Sequence, residues 1–112
     1  MNHMDFLEAI NLFEKGLKIN EENNDLYNQA VSLEAIADTQ TETNQLVKGL
    51  QTYRRATKIW ETIGNQPARK RVIKEIENIS KTMGFLSSTR EDVNSNLETI
   101  NSEDLGDDRK SV

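Results

Sequence analysis

Seven basic side chains fall within 21 residues: Arg54, Arg55 and Lys58, then Arg69, Lys70, Arg71 and Lys74. Arg54 and Lys58 stand four residues apart, as do Lys70 and Lys74, so on helices each set forms a strip along one face. Guanidinium groups grip carboxylates through two parallel N–H bonds, and such strips attract an acidic peptide or a carboxylate terminus. These seven residues are the candidate partner-binding site. Nucleic acid is the rival ligand for a basic patch. A chain of net charge −5, with no aromatic platforms interleaved among the bases, argues against it.

Other chemistry is sparse. His3 is the single histidine and sits at the N-terminus, so it offers no metal site or general base with a partner. Carboxylates such as Glu8 and Glu14, or Glu75 and Glu77, lack the histidine four residues away that di-iron bundles use. The five glycines are scattered singly, without a phosphate loop or a nucleophile motif. With no cysteine, disulfides and thiolate metal sites are ruled out. The expectation is a protein that is not an enzyme and uses no cofactor.

The charge is unevenly spread. Residues 1–42 carry net −7, residues 43–84 net +6 and residues 85–112 net −4. No run of about 18 apolar residues exists, and the N-terminal stretch is acidic and amphipathic, so neither a membrane span nor a secretory leader is expected. A soluble, cytoplasmic protein follows as the working expectation. The length suits one domain with a small core, and with six aromatics that core must come mainly from Leu, Ile, Val and Ala.

The elements that must position the bases are helical. Phe6, Ile10, Phe13 and Leu17 recur at four, three and four residues, predicting a first helix over residues 5–19 with Asp5 as its cap. The polar run 20–24 reads as a turn. Asp25 then caps a second helix, whose apolar face (Leu26, Ala30, Leu33, Ala37, flanked by Tyr27, Val31 and Ile36) extends to about Asp38. Residues 38–44 hold three threonines and no large apolar side chain, and read as a loop. Leu46, Leu50, Tyr53, Thr57 and Trp60 make the stripe of a third helix that ends on Gly64 in a left-handed cap. Pro67 suits the first turn of a fourth helix, with Val72, Ile76, Ile79 and Met83 on one face and Gly84 as its close.

Ala9, Phe13 and Gly16 on the first helix are echoed by Gly49, Tyr53 and Ala56 on the third. Small residues beside a large aromatic at this spacing resemble the helix-crossing positions of tetratricopeptide repeats, and the resemblance covers about residues 6–83. It implies antiparallel helical hairpins and a protein-binding scaffold. The match has departures: Ala30, Val31 and Glu34 stand where the family favours Leu, Gly and Tyr, and about six extra residues separate the second and third helices from the family register. An ordinary antiparallel bundle with small residues at its crossings is the other reading.

The fold expected is therefore all-α: four tetratricopeptide-like helices over residues 1–84, followed by an acidic Ser/Asn-rich tail, 85–112, that is partly disordered. Within that tail, Ser88 and Glu91 form a capping box and Val93, Leu97 and Ile100 have helical spacing, which would make a short fifth helix over 89–102 given a partner surface. The expected function is a protein-interaction module or small assembly factor, binding through a helical groove or the basic face. The alternative is a structural subunit that self-associates or completes a larger complex.

Overall fold

The computed structural model describes the backbone of residues 3–98 and side-chain surroundings for residues 4–85. It is all-α: α1 (His3–Glu22), α2 (Leu26–Glu42), α3 (Leu46–Ile63) and α4 (Gln66–Glu98), with no strand among the described residues. The chain divides into two compact units, Met1–Ser80 and Lys81–Val112. The first holds α1, α2, α3 and the stretch of α4 up to Ser80. Of the second, the described part is the continuation of α4, with Met83 half-buried and Phe85 exposed. The remainder of the suggested fifth helix, 99–102, and most of the acidic run lie outside the described residues.

Three turns of one design join the helices. Asn24, Asn44 and Gly64 adopt positive φ of 55°, 65° and 81°, at positions twenty residues apart. The next residue reaches back across the helix end in each case: Asp25 N–H donates to Asn20 O at 2.8 Å, Gln45 N–H to Gln40 O at 2.8 Å, and Asn65 N–H to Trp60 O at 2.9 Å. A left-handed residue followed by this long backbone bond satisfies carbonyls the helix end would otherwise leave bare. Asparagine and glycine are the residues that tolerate such a φ.

The residue that closes one helix then starts the next. Asp25 accepts from Asn28 N–H at 3.1 Å and from Asn28 Nδ2–H at 2.7 Å, and these bonds hold its carboxyl below the usual carboxylate range. Asn65 Oδ1 accepts from Ala68 N–H at 3.1 Å at the head of α4. α2 and α3 with their turns thus take twenty residues each, and equivalent hairpin positions lie forty apart, as Phe13 and Tyr53 do.

The core sits on the central helix. α2 packs against both α1 and α3. Ala30, Leu33, Ile36 and Ala37 of α2 are buried, as are Tyr53, Ala56 and Trp60 of α3 and Ala68, Val72 and Ile79 of α4. The crossing of α2 and α3 is close because Gly49 has no side chain: a Cβ there would fall 2.5 Å from Thr41 Oγ1 and 3.4 Å from Ala37 O.

Several expectations are corrected. The threonine segment is helical to Glu42: Thr39 is buried and Thr41 lies at the close crossing with Gly49, so tertiary packing outweighs a weak local preference, while the two hydroxyls donate to the carbonyls of Ala35 and Ala37 at 2.9 and 2.8 Å. α1 begins at His3, so Asp5 lies within its first turn and is not its cap. Gly84 does not close α4, which runs through it. Gly16 is not a crossing point: a Cβ there would meet nothing within 4 Å. On the α1 stripe only Leu17 is buried, while Phe13 remains 38% exposed.

The glycines give a direct test. Gly16→Ala and Gly84→Ala are expected to stabilise the protein by about 0.5–1 kcal/mol each, since alanine is the better helix former and has room. Gly49→Ala is expected to destabilise it, by about 1–3 kcal/mol, because the new methyl must displace Thr41 from its bond to Ala37. Urea unfolding of the three variants, read by circular dichroism, measures the ordering, and a stabilising Gly49→Ala would refute the close crossing.

Candidate functional site: a groove between two parallel helices

The short turns make successive helices reverse, so α2 and α4 run in the same direction on either side of α3. Between them lies a groove of about 530 Å³, lined by Tyr27, Val31 and Glu34 of α2, Trp60 of α3, Asn65 of the turn, and Pro67, Ala68 and Arg71 of α4. Its floor is Trp60, only 2% exposed, with Tyr27 set edge-on against it at a centroid separation of 5.3 Å and an interplanar angle of 79°. That geometry is the favourable one for two aromatic quadrupoles. Tyr27 and Val31 themselves are 56% and 44% exposed. They present apolar surface to whatever enters.

Glu34 is the hub of the groove. Trp60 Nε1–H donates to its Oε2 at 2.7 Å. The Arg71 guanidinium adds a two-pronged contact, Nη1–H to Oε1 and Nη2–H to Oε2, the second at 3.2 Å. The carboxylate side chain is 14% exposed and the guanidinium 58%. Arg71 therefore covers the acid while its outer edge still faces solvent. The hydrogen bond to Glu34 is the main reason the Arg71 pKa rises above its ordinary value.

One turn further along, the Tyr53 hydroxyl donates to Asp38 Oδ1. Tyr53 is buried on α3, and burial first, then the bond to Asp38 and the charges of Asp38 and Glu75, push its pKa upward.

The structure divides the seven sequence-nominated bases. Arg71 enters the groove and is paired with Glu34. Arg69 turns toward α3 and pairs with Glu61, Nε to Oε2 at 2.8 Å. Arg54, Arg55 and Lys58 are exposed on the side of α3 opposite Gly49, Tyr53, Ala56 and Trp60, and Lys70 and Lys74 on the side of α4 opposite Ala68, Val72 and Ile79. These five carry no ion pair among the described residues. They form outward strips, separate from the groove.

Sequence reasoning passed over Glu34, Tyr27 and Val31 as site residues. The available signal was Glu34 itself, an acid among Leu33, Ile36 and Ala37 on a helix whose neighbour holds the only tryptophan. A carboxylate at the margin of an apolar stripe calls for a donor, and an indole N–H and a guanidinium are apt ones. Among the described residues no group of three or more acids or histidines could hold a metal ion, and no helix is long and apolar enough to cross a membrane.

Fold and groove together define a class, an all-α protein of antiparallel helices with a cleft between two of them. Compared with protein-family models, curated proteins and solved structures, the chain gives no match.

Two outcomes follow from this geometry. Glu34→Ala strands the Trp60 N–H and uncovers Arg71, and is expected to lower stability by about 1–3 kcal/mol, whereas Glu61→Ala, breaking the exposed pair with Arg69, should cost below about 1 kcal/mol. Chemical denaturation of both variants checks the difference, and equal costs would count against the hub.

The second outcome concerns Tyr53. Its folded pKa is raised, so its contribution to stability is complete below about pH 10, where the unfolded tyrosine begins to ionise, and is lost as pH rises further. Tyr53→Phe should be less stable than the natural protein by about 1 kcal/mol at neutral pH, with the gap closing above pH 10. Thermal unfolding at stepped alkaline pH measures this, and a gap independent of pH would refute it.

Proposed function

We propose that the protein is a non-catalytic interaction module of tetratricopeptide-like design, which binds a segment of a partner protein in the groove between α2 and α4. The observation that carries this is the groove itself. Exposed Tyr27 and Val31 and the lip formed by Pro67 stand over a rigid floor of Trp60 and Ala68, beside the partly exposed Arg71. Apolar concavity with a few fixed polar groups is how proteins hold peptide side chains. The forty-residue hairpin spacing exceeds the 34 residues of the usual tetratricopeptide unit, in keeping with helices of 17 and 18 residues.

The structural-subunit reading has its own support. α1 exposes Met4, Leu7, Leu12, Phe13 and Ile19, which a second copy or a larger complex would cover. Sedimentation separates the two: a mass that rises with concentration, and falls back in Phe13→Glu, belongs to a self-associating subunit.

The groove reading is tested by selecting a random dodecapeptide library on the full chain. Trp60 is the only tryptophan, so its emission reports groove occupancy by any peptide without tryptophan. Selected peptides are expected to shift that emission and to lose binding in Val31→Glu, which places a charge on an already exposed position. Peptides that leave Trp60 unmoved and lose binding in an Arg54→Glu/Lys58→Glu variant would move the site to the outward basic strip and overturn the groove.

A further inference from the structure

Resting on that groove reading, we infer that the segment it takes is apolar and basic: a large apolar side chain with a lysine or arginine about three extended residues away. The groove has two unlike ends. At one, Tyr27, Val31 and Pro67 expose apolar surface. At the other, the helices continue past Glu34 and Arg71 to Asp38 on α2 and Glu75 on α4, each one turn further along and each exposed. Glu34 and Arg71 meet across the groove, and Asp38 and Glu75 share the same offset in sequence, so on parallel helices these two carboxylates stand at one level, just beyond the residues that line the groove. The Tyr53 hydroxyl is bonded to Asp38 and lies within the field of both acids.

The acids at this level outnumber the cations, since Arg71, one turn away, acts on Asp38 as well as on Glu34. Arg71 is matched by Glu34, while neither Asp38 nor Glu75 has an ion pair among the described residues. α2 contains no basic residue along its whole length, and Lys70 and Lys74 stand on the far side of α4. Two acids converging on one level repel an incoming carboxylate and favour a cation, the kind of complementarity that selects a partner and speeds its arrival.

The spacing follows from helix geometry. Val31 and Asp38 are two turns apart, roughly 10 Å along the axis, which an extended peptide covers in about three residues. A basic side chain there reaches Asp38 and Glu75 while an apolar one lies over Val31 and Tyr27. An acidic peptide would instead have to use Arg71, whose charge is already engaged.

The dodecapeptides selected on the full chain decide this by their composition and by two further variants. Groove-bound peptides, identified by the Trp60 emission shift, are expected to be enriched in Lys or Arg about three positions from Phe, Leu or Ile, and to weaken steeply with added salt. Glu75→Lys should lower their affinity about tenfold, and Asp38→Asn, whose amide oxygen still accepts from Tyr53, about threefold.

Neutral or acidic peptides that shift Trp60 and bind Glu75→Lys unchanged would overturn the inference and leave the groove reading standing. A library that yields no peptide shifting Trp60 would overturn both. Matching circular dichroism and melting temperatures of the variants and the natural protein exclude unfolding as the cause of lost binding.

Discussion

The carboxylate of Glu34 ties three helices to one another. It belongs to α2, accepts the indole N–H of Trp60 from α3, and is gripped by the guanidinium of Arg71 from α4. Each partner needs it. A buried indole N–H without an acceptor loses the hydrogen bond it would make to water, and a carboxylate largely covered by protein needs donors in place of that water. Because hydrogen bonds are directional, this three-way contact fixes the rotation and register of α4 against α2, which apolar packing alone specifies loosely. The groove exists at that level, with Tyr27 and Val31 above Glu34 and Asp38 below, because Arg71 is held there.

Regularly spaced turns make such a contact reachable. Left-handed residues at 24, 44 and 64 end successive helices at constant intervals, and each turn spends two or three residues, closed by the same long backbone bond. Residues forty apart therefore occupy equivalent places in successive hairpins. Their surroundings still differ: Tyr53 is buried on a helix that packs against α2, its hydroxyl bonded to Asp38 and within the field of Glu75 of α4, whereas its counterpart Phe13, on a helix that also packs against α2, stays 38% exposed. The same pattern of side chains thus yields core on α3 and apolar surface on α1. Occupancy of the neighbouring positions makes the difference.

Helical periodicity was the legible part of the sequence, because burial of one face imposes it: the all-α class, the Asp25 cap, the Gly64 turn and the buried Tyr53 and Trp60 all follow from local pattern. The misread places are those where a residue's usual preference is overridden by a contact distant in sequence or by its own helix. Thr39 and Thr41 are weak helix formers in isolation, yet with Thr39 buried and Thr41 at the close crossing with Gly49 they extend α2 to Glu42. Gly16 and Gly84 look like Gly49, but only Gly49 faces another helix at a distance that forbids a side chain. The groove was hidden for a related reason. Trp60 and Arg71 are 26 and 37 residues from Glu34 along the chain, and no spacing rule for a single helix brings them together.

Charge was legible as composition and misleading as location. Seven bases in a short stretch suggested one basic face, whereas the fold sends Arg71 into the groove, Arg69 to Glu61, and the remaining five to the outward sides of α3 and α4. Of the α2 acids, Glu34 meanwhile lines the groove's other wall. Exposed charges farther apart than about 8 Å are largely screened at physiological ionic strength, so an approaching segment responds to the nearest side chains and not to the net charge of −5. A helix that buries one face must place its charges on the flanks or the back. On α4 the flank position, Arg71, is neutralised by the facing helix, and the back positions, Lys70 and Lys74, are left to solvent. The one chain thereby keeps its unpaired bases on the outer sides of α3 and α4 while the base at the groove is matched by an acid, so the net charge describes neither surface.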